Sequence, residues 1–239
     1  MIKNVAIIGS SGALGRAFLK HVSVMYPYAI IHACTRELPK ENEHNITYHK
    51  LDYDDEKDIA DCAARISENL PLDLVIVSTG ILHEDEIKPE KSLRDLSSEK
   101  FHRLFAVNTI LPALIAKHFL PKLNKGNRAV FAALSARVGS ISDNQLGGWY
   151  AYRASKVALN MVVKNAAIEI GRRNKNAIIV GLHPGTVKSD LSKPFQANVP
   201  EDKLFTPAFS AGKLLEVLES LTSAQSGSCF DWDGQKVPA

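Results

Sequence analysis

The sequence predicts an α/β fold: a doubly wound parallel sheet of about seven strands with helices on both faces. Two patterns predict it. Short apolar, β-branched runs alternate with longer amphipathic runs along the 239 residues, and a glycine-rich turn links the first apolar run to the first helical one. No internal repeat, low-complexity tract or linker divides the chain, so residues 1–239 read as one domain.

The elements follow in order. Residues 5–8 form a buried strand and 13–24 a helix. Strands at 29–34 and 46–51 precede a helix at 54–70, whose first turn is acidic and so complements the helix dipole. A strand at 73–78 leads to a long helix at 97–123. A strand at 129–134 is followed by a second long helix at 150–172, ending in Arg172-Arg173, where cations suit the C-terminal dipole. A strand at 177–182, a helix at 207–221 and a short strand at 228–231 complete the pattern. Two irregular excursions, 80–96 and 184–206, follow strand ends on the side where such sheets bind ligands. The second is the expected substrate loop.

Composition excludes several classes. A net charge of +3 with scattered basic residues gives no footprint for nucleic acid. Cys34, Cys62 and Cys229 are odd in number and far apart, which fits a reducing, cytoplasmic setting better than a disulfide framework. His21, His32, His44 and His49 are dispersed and form no zinc-type spacing with cysteine, so no metal site is expected. No run of about 18 apolar residues suggests a membrane span. The apolar run near Met1 is too short for a signal peptide.

The stretch Gly9-Ser-Ser-Gly12-Ala-Leu-Gly15 comes directly after the first strand and opens the first helix. Glycines there allow a tight turn and a close approach of main chain to a pyrophosphate, which the helix N-terminus favours. Ser11, Ala13 and Leu14 belong to the same turn. The spacing is G-x-x-G-x-x-G; the commoner dinucleotide fingerprint is G-x-G-x-x-G. The second strand ends at Thr35-Arg36-Glu37. An Arg at that point suits a ribose 2′-phosphate through bidentate charge-assisted bonds, so NADP(H) is favoured over NAD(H). Asp52 either contacts the adenine or caps the next helix. Ser78-Thr79-Gly80 ends the fourth strand, where Gly80 either lets the main chain lie against a cofactor or serves a turn.

Tyr152 and Lys156 stand four apart in Trp149-Tyr-Ala-Tyr-Arg-Ala-Ser-Lys156, one turn apart on one helix face. A free Tyr ionises near about pH 10. An ammonium beside it lowers the cost of the phenolate and makes it a candidate general acid/base.

The glycine-rich turn, the Tyr152/Lys156 pair and Pro184-Gly185-Thr-Val187-Lys-Ser189 after the sixth strand occur in an order and spacing that resemble the short-chain dehydrogenase/reductase family over essentially the whole chain. The stretches Ser140-Ile-Ser-Asp-Asn-Gln-Leu-Gly-Gly148 and His183-Pro-Gly-Thr are similar to its carbonyl-reductase-like branch, which includes the bacterial C-factor cell–cell signalling proteins. The resemblance implies a Rossmann-type domain that moves a hydride between a nicotinamide and a carbonyl or alcohol carbon of a small substrate. Tyr152 would exchange the proton. Lys156 would assist it and hold the nicotinamide ribose. Gly9, Gly12 and Gly15 would line the pyrophosphate turn and Gly80 the adenosine side, with Pro184, Gly185 and Val187 along the nicotinamide. Ser189 stands where the family often has Thr. Asn108 matches the family's helical active-site Asn. Pro112, four residues on, has no N–H, so it frees the Asn108 carbonyl and is expected to kink the helix. The family commonly pairs through its two long helices, which implies a homodimer or homotetramer.

The sequence also departs from the family. The catalytic Ser after the fifth strand typically stands three residues before a Gly. Counting back from Gly139 gives Ala136, with Ser135 beside it and Ser140 and Ser142 beyond. Extended backbone alternates its faces, so a one-residue offset turns the hydroxyl away unless the chain leaves the strand there. Ser135 is therefore carried as the candidate hydroxyl, with Ala136 as the open question. Ala13 stands where many members have Gly. Leu82, Trp149, Phe195 and Val199 are candidates for the pocket wall. A second reading, fed by Ala136, is a nucleotide-binding regulatory or signalling protein with weak turnover. A third, isomerase or dehydratase chemistry, would draw on His83, Glu84 and Asp85.

Overall fold

The computed structural model of the chain describes residues 2–39, 45–84 and 87–239; His44 and Asp85 lie outside the described residues. Seven strands form one sheet: β1 (Asn4–Ile8), β2 (Ile30–Thr35), β3 (Ile46–Lys50), β4 (Leu74–Val77), β5 (Ala129–Leu134), β6 (Ala177–His183) and β9 (Cys229–Asp231). Their order is β3-β2-β1-β4-β5-β6-β9, and every neighbouring pair is parallel. The doubly wound parallel sheet read from the alternation is thus the sheet observed, and it has the Rossmann-type order that the resemblance implies. Every residue of β1, β4 and β5 is buried, as a parallel sheet covered on both faces requires.

Successive strand residues point to opposite faces, and each face has its own core. Ala6, Ile8, Val75, Val77, Phe131 and Ala133 pack against α2 (Glu56–Ile66), α4 (Leu111–Phe119) and α5 (Tyr150–Gly171). Val5, Ile7, Leu74, Ile76, Val130 and Ala132 pack against α1 (Ala13–Met25) and α6 (Pro207–Ser220). Each fully buried Ile, Leu or Phe contributes about 1.5–3 kcal/mol. From β1 the chain winds outward through β2 and β3, then returns to β4 and winds the other way. The crevice for a ligand therefore lies at the carboxyl ends of β1 and β4.

Three elements differ from the sequence reading. The helix expected at 54–70 runs only Glu56–Ile66, because Asp55 caps it by accepting the Lys57 N–H at 2.8 Å. The long helix expected at 97–123 is α3 (Ser98–Phe105), a π-helical turn at Ala106–Ile110, then α4 and a short 3-10 turn. Pro112 lies just past the π turn, where the Leu111 N–H reaches the Ala106 carbonyl five residues back. The proline irregularity is accommodated by widening one turn, and the two halves continue without a break. By length and composition, Ser98–Lys122 could cross a membrane. Here Ile115 and Phe119 lie fully buried in the core, so it serves as a core helix. Lastly, the loop at 184–206 contains a small parallel pair that the alternation did not reveal: β7 (Thr186–Val187) with β8 (Leu204–Phe205). Two residues per strand carry too little pattern to be read.

Candidate active site

The glycine-rich turn sits at the carboxyl end of β1. The Gly9 and Ser10 N–H groups and the Ser10 hydroxyl all donate to the Cys34 carbonyl at 3.0–3.2 Å. Tyr53 adds a second tie: its hydroxyl accepts from the Gly9 N–H at 2.9 Å and donates to Cys34 O at 3.2 Å. Gly9 has φ +82°, where a side chain is strained. At Gly15 a Cβ would run into the Gly9 carbonyl oxygen and come within 2.8 Å of Ser10 Cα. Gly12 and Ser11 are exposed at the helix mouth, and Ala13 and Leu14 open α1. Ser78 donates to the Ile8 and Gly9 carbonyls at 2.8 and 3.1 Å, which fastens the end of β4 to the turn. Arg36 is exposed at the end of β2. The Asp52 carboxylate is exposed and accepts the Asp54 N–H at 3.0 Å, leading into the helix that Asp55 caps.

Tyr152 and Lys156 occupy the first two turns of α5 and are both buried. The Lys156 Nζ donates to Leu134 O at 2.9 Å and lies 5.8 Å from the Tyr152 ring centroid. Burial pulls the Lys156 ammonium down to about 8 and pushes the Tyr152 phenol up to about 12. Burial is the cause of the raised phenol. Gly139 lets α5 approach this closely, since a Cβ there would lie 2.9 Å from Lys156 Cβ.

Asn108, on the π turn, is fully buried. Its Oδ1 accepts the Ile81 N–H and its Nδ2 donates to the Ile81 carbonyl, both at 2.9 Å; Nδ2 also donates to Ser155 Oγ at 3.2 Å. The Ser155 hydroxyl donates to the Tyr152 carbonyl at 2.7 Å, and Thr109 Oγ1 donates to the Ser155 carbonyl at 2.7 Å. One amide therefore joins the loop after β4 to the helix carrying Tyr152. A Cβ at Gly80 would sit 3.4 Å from Asn108 Oδ1 and 3.5 Å from Lys156 Nζ, which places Gly80, Asn108 and Lys156 together.

The structure does not bring Ser135 to Tyr152. Its hydroxyl donates to Asn160 Oδ1 at 2.7 Å, and its neighbour on that side is Cys229. Its main-chain N–H still pairs with Leu182 O at 2.8 Å, so the chain is in sheet register and the one-residue offset turns the side chain away. Ala136 belongs to the apolar cluster of Tyr152, Leu82, Ile87, Leu104 and Ala151.

Partly buried Trp149 and Phe195 pack on that cluster with ring centroids 5.1 Å apart, and Trp149 meets Tyr152 edge-on at 6.3 Å. Leu82, Trp149 and Phe195 thus stand together as the sequence suggested, whereas Val199 lies outside this cluster. The His83 ring bonds to Asp190 O at 3.1 Å and meets Phe195 edge-on at 5.8 Å, joining the two excursions. Glu84 forms a bidentate pair with Arg103 at 2.6 and 2.8 Å, which holds its carboxyl below the usual range. Both His83 and Glu84 are therefore engaged in holding loops. Gly185 (φ +71°) follows Pro184 under the Phe205 ring, 2.6 Å from where a Cβ would be. The Ser189 hydroxyl donates to the Val187 carbonyl at 3.3 Å. Among the described residues no cluster of three or more His, Cys, Asp or Glu could hold a metal ion.

A dinucleotide fits the residues present. The Thr79 Oγ1 is buried beside the turn and has no hydrogen-bond partner among the described residues, and the turn that leads into α1 presents an exposed Ser11 and Gly12. The sequence reading missed Ser155, Thr109, Gly139 and Glu90. Ser155 carries a legible signal, since Tyr152 and Ser155 are three apart on one helix face. Glu90 carries none: its carboxylate meets the Ala151 N–H, 61 residues on in sequence, and its carbonyl meets the Trp149 N–H.

A family model described as short chain dehydrogenase matches residues 3–200. The 1-hydroxy-2-glutathionyl-2-methyl-3-butene dehydrogenase of Rhodococcus sp. (strain AD45) is 32% identical over 185 residues, covering 77% of this chain and 76% of that protein. The C-signal protein of Myxococcus xanthus is 34% identical over 147 residues, 62% of this chain and 83% of that one. The NADPH-bound carbonyl reductase from chicken fatty liver superposes with a TM-score of 0.84 at 26% identity, covering 100% of this chain and 99% of that one.

Proposed function

This chain belongs to the short-chain dehydrogenase family, in its carbonyl-reductase-like branch, and from that premise we propose that it is an NADP(H)-dependent reductase of small carbonyl compounds with Tyr152 as general acid. The observation that carries the reading is the joint burial of Tyr152, Lys156 and Asn108 beside Gly80. A buried Lys and a buried Asn at a helix irregularity are costly to keep for structure alone, which favours turnover over a binding-only role. The bound NADPH of the chicken reductase and the exposed Arg36 both support NADP(H).

In this reading the turn at 9–15, Ser78, Thr79 and Gly80, together with Pro184, Gly185, Val187 and Ser189, hold the dinucleotide. Asp52 faces its adenine end. The nicotinamide, when bound, supplies the hydride. The residues do the rest. Tyr152 gives its proton to the carbonyl oxygen as that oxygen becomes an alcohol. Near neutrality a Lys156 with its pKa at about 8 is still mostly protonated and lowers the cost of the phenolate left behind. Asn108 fixes the main chain at Ile81 and, through Ser155, the turn that carries Tyr152. Leu82, Trp149 and Phe195 keep water from the carbonyl. Ser135 is not in reach of the substrate oxygen in this reading, and Ala136 offers it no donor. Tyr152 is then the single hydroxyl at the substrate oxygen, and turnover is slow for the family.

Residues 1–239 act as one cytoplasmic cofactor-binding unit, with 184–206 as the substrate cover. Exposed Ile110, Met161 and Ile168 on the long helices support pairing into a homodimer or homotetramer. The test is an NADPH-oxidation screen over aldehydes, ketones and quinones with the wild type and Tyr152→Phe. A substrate turned over by the wild type and not by the variant is the expected result; equal rates would remove Tyr152 from the chemistry.

A further inference from the structure

Helix α5 has an unusual start. Its N-cap, Trp149, has φ +51°, makes no side-chain cap, and is followed by no acidic residue in the first turn. Gly147 and Gly148 before it also have positive φ, so three consecutive residues take the left-handed conformation. A helix begun this way leaves its first N–H groups without local acceptors. They are met from the loop after β4. The Glu90 carbonyl accepts the Trp149 N–H at 2.6 Å, and the Glu90 carboxylate accepts the Ala151 N–H at 3.3 Å. Glu90 is buried, 3% exposed. A side chain with polar oxygens so far from water needs a donor, and the helix N-terminus supplies it. The fit on the other side is as close: a Cβ on Gly148 would lie 3.3 Å from the Glu90 carbonyl oxygen.

The two gripped N–H groups lie just ahead of Tyr152 on the chain. Ala151 adjoins Tyr152, and Trp149 sets the indole that meets Tyr152 edge-on and Phe195 at 5.1 Å. Residue 90 is itself held, because the next two N–H groups, of Lys91 and Ser92, both donate to Asp95 Oδ2 at 3.0 Å.

We propose that Glu90 is a positioning residue of the active site: its carboxylate and carbonyl hold the first turn of α5, so that the phenol of Tyr152 and the indole of Trp149 keep one relative placement. This rests on the reductase reading, because the consequence for rate depends on Tyr152 being the acid. Small displacements of a reacting group cost rate steeply, on the order of a hundredfold for about 1 Å. Substrate packed against the Trp149 indole feels the same loss of placement.

The test compares Glu90→Ala, Glu90→Asp and Glu90→Gln in the full chain. It reads kcat and KM for the carbonyl compound turned over fastest in the screen, NADPH affinity by fluorescence titration, and Trp149 emission in a Trp232→Phe background. Glu90→Ala and the shorter Glu90→Asp are expected to lower kcat on the order of tenfold to a hundredfold and to raise KM. NADPH affinity stays unchanged and the indole emission moves to the red. Glu90→Gln keeps an acceptor oxygen at full length and restores most of kcat and the emission. Folded Glu90→Ala or Glu90→Asp protein with wild-type kcat, KM and emission overturns the proposal. So does a loss of NADPH affinity in step with kcat, which marks general damage. If the wild type reduces no carbonyl, the reductase reading fails by itself. The emission arm then still decides: a red shift in Glu90→Ala restored in Glu90→Gln sustains the grip on α5, and no shift sinks it.

Discussion

Ser135 donates its hydroxyl to Asn160 Oδ1 at 2.7 Å, while the next residue, Ala136, carries its methyl into the apolar cluster around Tyr152. A second hydroxyl toward a developing oxyanion is typically worth on the order of 10²–10³ in rate. Ala136→Ser is therefore expected to raise kcat by tens-fold or more, and Ser135→Ala to change kcat little. Steady-state rates with one carbonyl substrate check both. A large loss in Ser135→Ala with no gain in Ala136→Ser would put the working hydroxyl at 135.

Tyr152→Phe removes the proton donor and leaves the ring packing beside Trp149 in place. Carbonyl reduction is expected to fall by at least about a hundredfold, with NADPH binding preserved. The check pairs single-turnover rates with a binding titration. Loss of binding in the variant would mean that the phenol serves the fold.

Arg36 is exposed at the end of β2, free to meet a 2′-phosphate. NADPH is expected to bind more tightly than NADH, and Arg36→Ala to narrow the gap by roughly tenfold, the worth of one charge-assisted contact. Titrations of both nucleotides with both proteins measure it. A gap that Arg36→Ala leaves intact assigns the preference elsewhere.

Gly15→Ala puts a methyl against the Gly9 carbonyl oxygen and within 2.8 Å of Ser10 Cα, so the main chain of the turn has to move. Overpacking of this kind costs about 1–3 kcal/mol. A lower thermal midpoint and weakened NADPH binding are expected together. Gly12→Ala, whose nearest contact is Gly9 O at 3.4 Å, serves as the milder comparison.

Lys156 sets a pH dependence of stability. Its ammonium has a native pKa of about 8, against 10.5 for a free lysine. Between those values the unfolded chain holds the proton and the folded one does not. Stability should therefore rise with pH through this window, by on the order of 3 kcal/mol across its whole width. Tyr152, held at about 12 against 10, works the other way, and only above pH 10. Denaturant midpoints from about pH 7 to about pH 10 for the wild type and Lys156→Met give the comparison. The rise should be present in the first and reduced in the second; parallel curves would refute it.

The sheet was legible because buried parallel strands are continuous apolar runs, and Asn4–Ile8 and Ala129–Leu134 stand out as such. The pair β7 and β8 was not, at two residues each. Asn108 and Pro112 announced an irregular helix. Its form was hidden, since a kink and a π turn at Ala106–Ile110 answer the same missing N–H. At Ser135 the alternation of faces left the hydroxyl an open candidate, because it could not say whether the chain leaves the strand there; the continued pairing of its N–H with Leu182 O shows that it does not, and the side chain is turned away. Glu90 was silent because its partners at 149 and 151 are near in space and far in sequence.

The carbonyl of Cys34 gathers the Gly9 and Ser10 amides and the Ser10 and Tyr53 hydroxyls. This anchor of the nucleotide turn is a main-chain atom, which no side-chain replacement at position 34 deletes. The turn is thereby buffered against mutation at its hub, while its outlying tie, Tyr53, stays open to exchange. Drift in this region should accordingly spare the loop geometry and fall first on the residue that can be lost without moving the backbone.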